Sequence, residues 1–249
     1  MASTRGEKGP QLELRPLGDA SEYLAAVHLQ QTVWGPEETT PANQMMATAH
    51  SGGLVLGALQ GSELVGFALA WPGRSDGESL LYSHMLAVSA HTQGQGIGRA
   101  LKWRQREWAM AEGYRRMAWT YDPLRRHNAR FNLEVLGAEA TRLIPNCYGA
   151  MTDRLNWGLD SDRFWVEWQL DHPLVEARRL GKTLPKSSDE GIWVEIPKDM
   201  EALKQADLEQ ARALQQHFRQ AVEPLFAAGL RALAVRDRGM ACAYLFSRR

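Results

Sequence analysis

Six residues near the middle of this chain, Gln93-Gly94-Gln95-Gly96-Ile97-Gly98, narrow its fold and chemistry more than any others. They follow an apolar, strand-like run and open a helical pattern. Glycine turns the backbone through conformations closed to other residues, which lets successive N–H groups face outward. Those groups, with the positive end of the following helix dipole, make a seat for a pyrophosphate. Arg99 and Lys102 follow at positions that would add positive charge. Spacing separates the loops of this kind. A dinucleotide-binding GxGxxG needs its third glycine where this chain has Arg99, and a P-loop ending at Gly181-Lys182-Thr183 needs a glycine where it has Glu176. What remains is Q-x-x-G-x-G, with Gln93, Gly96 and Gly98 in its fixed places. For six residues taken alone, a glycine-rich turn with no ligand stays open as the alternative.

Periodicity and punctuation organise the rest. Leu12, Leu14 and Leu17 predict a first strand, and Asp19 or Ser21 caps a helix to about Val33, ended by Trp34-Gly35-Pro36-Glu37. A short helix follows over Asn43 to Ala49. Strands are expected over Leu54–Leu59, Leu64–Trp71 and Leu80–Val88, the first two joined by a hairpin turn at Gln60-Gly61-Ser62. Ile97, Ala100, Leu101, Trp108 and Ala111 make the apolar stripe of a helix over Gly98–Glu112, and Gln105 falls on that stripe without an evident reason. A strand over Met117–Tyr121 and a helix over Asn128–Leu136 come next. A closing strand pair is expected over Ala140–Ile144 and Phe164–Leu170. Residues 181–190 read as a linker. Beyond it come a strand at Ile192–Ile196, one long helix from Met200 to about Phe226 capped by Asp199, and strands near 231–235 and 241–246. The expected division is a flexible tail (1–10), a main domain (11–172), a linker (173–190) and a β-α-β-β extension (191–249). The extension is too small to bury a sufficient core alone, so it should dock on the main domain.

Composition removes several function classes. Lys plus Arg total 29 and so do Asp plus Glu, whereas nucleic-acid and membrane-surface binders need a basic excess. Two cysteines without CxxC spacing fit a reducing compartment, and seven scattered histidines without an HExxH pair predict no metal. The N-terminal MASTRGEKGP is polar and lacks the apolar stretch of a signal peptide, and no apolar run approaches the ~18 residues of a membrane span. A cytoplasmic protein is expected.

The order strand, two helices, three strands, glycine loop, helix, strand, helix, two strands resembles the GNAT superfamily of acyl-CoA-dependent N-acyltransferases. So does the loop itself, which in that family grips the pyrophosphate of coenzyme A. YSHMLAV resembles its fourth strand, whose splay from the fifth opens the CoA cleft, and Asn128 with Leu136-Gly137-Ala138 resembles its fourth helix. QGQGIGRALKWRQREW, WTYDPLRRHNARFNLEVLGA, YGAMTDRLN, GLDSDRFWVEW and the later VEIP are similar to a subfamily of acetyltransferases with a C-terminal extension. The resemblance implies an α+β fold with a mixed, splayed central sheet. It implies acetyl-CoA, or another short acyl-CoA such as succinyl-CoA, as co-substrate. The acceptor would be the amine of a small molecule such as an amino acid, with no nucleic acid and no membrane as partner and a homodimer left open. Two other readings stand beside this one: a non-catalytic acyl-CoA-binding regulatory module, and a protein N-acetyltransferase.

Under that resemblance the cofactor-binding residues are Leu86, Ala87 and Val88 on the fourth strand, Gln93, Gly94, Gln95, Gly96, Ile97, Gly98 and Arg99 in the loop, and Asn128. Backbone N–H groups near Leu86–Val88 would polarise the thioester carbonyl. The candidate catalytic groups are His84, Tyr121 and Asp122. Imidazole suits proton removal near neutral pH, against packing on an apolar strand as the plainer role. Strand alternation puts Leu86 and Val88 on the face of His84 and Ser83 and Met85 on the other. Tyr121 and Asp122 alternatively end a strand in a turn with Pro123, and Asn128 alternatively caps a helix. Tyr148 would reach the cleft or pack. Arg125, Arg126, Arg154 and Arg163 offer bidentate contacts to a carboxylate, against solvated surface charge. Many GNAT enzymes carry a tyrosine four residues before the glycine ending the fourth helix, as acid for the leaving thiolate; here that position is Leu133.

Overall fold

The computed structural model describes residues 11–37, 39–151, 157–182, 190–239 and 241–248. The expected tail over 1–10, Arg154 and part of the expected linker (183–189) lie outside them. The chain divides into two compact units: Met1–Pro72 with Ser83–Trp108, and Gly73–Tyr82 with Ala109–Arg249.

The first unit follows the sequence closely. Strand β1 (Leu12–Pro16) leads to α1 (Ala20–Trp34), α2 (Ala42–His50), β2 (Leu54–Gln60), β3 (Glu63–Ser75) and β4 (Glu78–Val88), then a short 3-10 turn (Ala90–Thr92) and α3 (Ile97–Ala111). Strand order is β1-β2-β3-β4. Of the two candidate caps of α1, Asp19 does the work: its carboxylate accepts from Ser21 N and Glu22 N. Two apolar layers cover the two faces of this sheet. One joins Tyr23, Ala26, Leu29 and Met45 of α1 and α2 to Val55, Phe67, Leu69 and Ala87. The other joins Ile97 and Leu101 of α3 to Leu54, Leu56, Val65 and Ala68. Gly66 permits the close approach of α3, because a Cβ there would lie 3.1 Å from Ala87 O and 3.2 Å from both Ile97 Cγ2 and Leu101 Cδ1.

In the second unit, β5 (Arg116–Tyr121) precedes α4 (Arg126–Ala129), which continues as a π-helical stretch over Arg130–Leu136. Then come β6 (Glu139–Ile144), β7 (Arg163–Gln169), α5 (Pro173–Arg179), β8 (Ile192–Ile196), α6 (Met200–Ala206), α7 (Leu208–Ala227), β9 (Arg231–Arg238) and β10 (Ala241–Ser247). Strand order is β4-β5-β7-β6-β9-β10-β8. The β4–β5 pair is parallel and the others with known register are antiparallel, so the sheet is mixed as expected. The β4–β5 ladder holds Leu81↔Met117 and Tyr82↔Ala118, while β4 itself runs on to Val88. Trp119 Nε1 donates to Asn132 Oδ1 and Trp168 Nε1 to Leu136 O, both at 3.0 Å, fixing the π-helical stretch to its sheet.

Two expectations change. The single helix from Met200 is two helices, because Asp207 takes an extended backbone (φ −152°) and its carboxylate caps α7 at Gln210 N. The segment expected to be linker from 173 begins with α5, whose first position is Pro173 after the capping His172. The extension beyond 190 shares an aromatic core with β5 and β7: Phe164 meets Phe218, Phe226 and Tyr244 at 5.7, 5.2 and 5.3 Å between ring centroids.

Candidate functional site

The glycine loop has the form its spacing predicts. Gly94 and Gly96 take φ of +80° and +82°, the left-handed region that side chains disfavour, and a Cβ on either would meet no atom within 4 Å. Open space beside a tightly turned backbone is what a bound pyrophosphate needs. Ala100 N is bonded to Gly96 O at 2.9 Å, which closes the first turn of α3 and leaves the N–H groups of that turn pointing out of the helix end, while Gln93 N and Gln95 N bond back to Ala90 O and Thr92 O. Gln93, Gln95 and Arg99 are exposed, and Ile97 is the buried peg that seats the loop. Gly98 differs from the other two: it is helical, and a Cβ there would make ordinary contacts with Leu86 Cδ2 (3.5 Å) and Val88 Cγ2 (3.7 Å).

Leu86, Ala87 and Val88 have their side chains committed to the two apolar layers, so only their backbone can meet a ligand. Just before them β4 departs from strict alternation. Ser83 bonds to Gln105 of α3, and Leu86 and Val88 pack with Ile97 and Leu101. Met85 and Ala87 pack in the α1–α2 layer, and the His84 ring lies 4.7 Å from that of Trp71, which belongs to the same layer. His84 and Met85 therefore share a face, the mark of a bulge. This corrects the expectation that His84 shares its face with Leu86 and Val88. The ring is partly buried, and loss of solvent pushes its pKa below the ordinary imidazole value, so His84 is neutral at pH 7 and able to accept a proton.

Lys102 is not the phosphate contact its position suggested. It turns inward, 4% exposed, and donates to Ser83 Oγ at 2.7 Å; burial brings its pKa down to about 7. Gln105, the unexplained polar residue of the stripe, accepts from the same Ser83 hydroxyl at 2.8 Å. The sequence signal for this cluster was present, a lysine and a glutamine at i, i+3 beside an apolar stripe, but not the partner on β4.

The second unit holds the remaining candidates. The Tyr121 side chain is in the core, its hydroxyl 3.2 Å from that of Tyr244, which donates to Pro123 O at 2.6 Å. Burial raises the pKa of Tyr121 well above that of a free phenol. Asp122 closes a turn: Oδ1 accepts from Leu124 N at 2.9 Å and Oδ2 from Arg125 Nε at 3.3 Å. Asn128 is exposed within α4 and does not cap it, since Arg125 stands at the cap position. Leu133 is fully buried. Tyr148 is 46% exposed, with its hydroxyl 2.8 Å from Thr120 Oγ1 and Arg163 over its ring. Arg126 pairs with Asp237 at 3.2 Å, and buried Arg163 donates to Asp162 O. A polar cavity of about 610 Å³ is lined by Asn146, Met151, Asp160, Gln215, Arg212 and Arg219 among others. Its guanidinium groups are engaged, Arg212 by Gly158 O and Arg219 by Asp160 and Asp162. Cys147 and Cys242 are unbridged, and among the described residues no three His, Cys, Asp or Glu side chains group as metal ligands.

Residues 23–137 match the model of the Acetyltransferase (GNAT) family. The chain carries a GNAT acetyltransferase domain. The match indicates an acyl-CoA-dependent acetyltransferase. Solved GNAT structures share its fold. A GNAT-family protein from Desulfovibrio desulfuricans aligns at 19% identity and a TM-score of 0.53, over 64% of this chain and 99% of its own. Salmonella typhimurium yncA, solved with its cofactor acetyl-CoA, aligns at 20% identity and 0.52, over 71% and 99%. The ribosomal-protein-S18-alanine N-acetyltransferase of Escherichia coli aligns at 15% identity and 0.51, over 71% and 98%. No curated protein matches the chain in sequence. The GNAT match covers the glycine loop, β4 and α3, where the open backbone at Gly94 and Gly96 fits an acyl-CoA co-substrate. No helix among the described residues is long and apolar enough to cross a membrane.

Proposed function

We propose that this GNAT domain transfers an acetyl or other short acyl group, with succinyl in range, from coenzyme A to the amine of a small molecule such as an amino acid. The observation that carries the reading is the left-handed, open backbone at Gly94 and Gly96 at the head of α3, with a neutral His84 on the strand just before it. The N–H groups at the head of α3 hold the pyrophosphate, and exposed Arg99 adds charge beside it. This fixes the thioester in place, so that binding energy is spent on positioning. The backbone of Leu86–Val88 polarises the thioester carbonyl, since N–H donors stabilise the negative charge that builds on its oxygen. The amine attacks that carbonyl carbon, its C–N bond forms, and the C–S bond breaks with the electron pair leaving on sulfur.

His84 takes the proton that the ammonium must lose before it attacks, directly or through a water, and the second N–H proton passes to solvent as the C–S bond breaks. Tyr121 and Asp122 fall out of the catalytic role in this reading, one hydrogen-bonded in a core and the other closing a turn. Buried Leu133 offers no proton to the departing thiolate. A thiolate is a good leaving group, and solvent suffices to protonate it. A small acceptor remains a proposal beside a protein acceptor, which the E. coli S18-alanine acetyltransferase takes by its name. The test is a panel of free amino acids, other small amines and peptides with acetyl-CoA and succinyl-CoA, read by thiol release. Release with a free small amine and not with peptides is expected; release with peptides alone overturns the small-molecule acceptor.

A further inference from the structure

Three polar side chains meet inside the apolar contact between α3 and β4. Lys102 Nζ donates to Ser83 Oγ at 2.7 Å, and Ser83 Oγ donates to Gln105 Oε1 at 2.8 Å. Their exposures are 4%, 3% and 0%, so the cluster is almost wholly out of water. Lys102 and Gln105 stand three residues apart on α3, a spacing that brings both to one strand residue. Gln105 occupies a stripe otherwise made of Ile97, Leu101 and Trp108, where a leucine would pack without desolvating an amide. Its Nε2 has no hydrogen-bond partner among the described residues. Such a cluster is expensive as packing, which asks what it supplies instead.

It supplies direction. Apolar contact resists lifting a helix off a sheet but resists sliding only weakly, whereas hydrogen bonds hold one geometry. The strand residue held is Ser83, immediately before the His84–Met85 bulge. The helix that holds it is the one opened by Gln93–Gly98. We propose that Lys102, Ser83 and Gln105 form a positioning unit that ties the His84–Met85 bulge to α3 and so sets the imidazole of His84 against the phosphate-binding loop. None of the three touches substrate; they act through His84 and the loop. The proposal rests on the role given to those two in the proposed reaction.

The experiment compares full-length wild type with Ser83→Ala, Ser83→Thr and Lys102→Met. Lys102→Met keeps the volume and removes a buried amine, so the variant is expected to fold at least as stably as wild type. The first readout is the NMR titration of the His84 ring, which needs no acceptor. In Ser83→Ala and Lys102→Met the loosened ring gains water, and its pKa climbs toward the ordinary value of about 6.5. Coenzyme A affinity by calorimetry stays within about twofold, because the loop itself is untouched. With an amine that wild type accepts, kcat falls about tenfold while KM for acetyl-CoA holds, the split expected when a group acting in the transition state is misplaced. Ser83→Thr keeps the hydroxyl and restores both the titration and kcat. If His84 titrates in Ser83→Ala and Lys102→Met as it does in wild type, the unit is packing and the proposal is overturned. A wild type that releases no thiol with any amine contradicts the proposed reaction instead, and the titration still decides the positioning unit.

Discussion

His84 illustrates how far a single residue can be read before its surroundings are known. Its type and its place on the fourth strand made it a candidate base, but alternation put it on the wrong face. Two consecutive residues of β4 turn to the same side, and no pattern in the run YSHMLAV announces that. The structure also supplies its charge state. Burial lowers its pKa below 6.5, so as pH falls the unfolded chain takes the proton first. The neutral ring's share of stability is therefore complete above about 6.5 and is lost as pH drops toward the folded value. The same titration governs activity. A base works only unprotonated, so kcat/KM should rise with pH through the folded pKa of His84 and carry an acid limb below about 6.5. His84→Ala should lower turnover ~100-fold, erase that limb and leave coenzyme A affinity unchanged. Partial recovery at higher pH, where more amine is free, completes the expectation. A variant that keeps wild-type turnover and the same acid limb assigns His84 to packing against Trp71.

At the scale of elements, the loop and α3 were legible because their code is local. Glycine positions are dictated by backbone angles, and the helix by the spacing of Ile97, Leu101 and Trp108. The local code even separates the glycines. Gly96→Asp places a side chain at φ +82° and a negative charge where phosphate must sit, so coenzyme A affinity should fall at least about tenfold, or ~1.4 kcal/mol. Gly98→Ala adds a methyl in ordinary contact with Leu86 and Val88, and affinity should hold within about twofold. Calorimetry on both variants checks the pair; equal losses, or none, contradict the loop geometry. What was not legible depended on partners distant in sequence. The position of Lys102 on α3 points to phosphate, but its ammonium is held by Ser83 of β4. The place of Tyr121 at a strand end suggests catalysis, but its hydroxyl is paired with that of Tyr244, 123 residues later. The break between α6 and α7 was missed for the opposite reason: Asp207 is a local cap signal inside a pattern that reads as one continuous helix.

For the whole chain, the residues after 190 matter more to stability than their size suggests. Phe218, Phe226, Tyr244 and Phe246 surround Phe164 of β7, and β9 pairs with β6 at Ala140↔Ala232. We propose that this extension is not an independent domain. A chain ending near His172 should melt lower or aggregate, because it exposes that aromatic cluster to water. A truncated form that melts with the full-length protein and keeps its activity contradicts the proposal. The proposed reaction is the passage of an acyl group from coenzyme A to an amine. The direct measurement follows free thiol from acetyl-CoA in the presence and absence of an amine, with the product mixture weighed by mass spectrometry. Amine-dependent thiol release matched mole for mole by an acetylated amine is expected. Coenzyme A bound tightly at Gln93–Gly98, with no thiol above background for any small amine or peptide, would contradict it and leave a domain that senses acyl-CoA without consuming it.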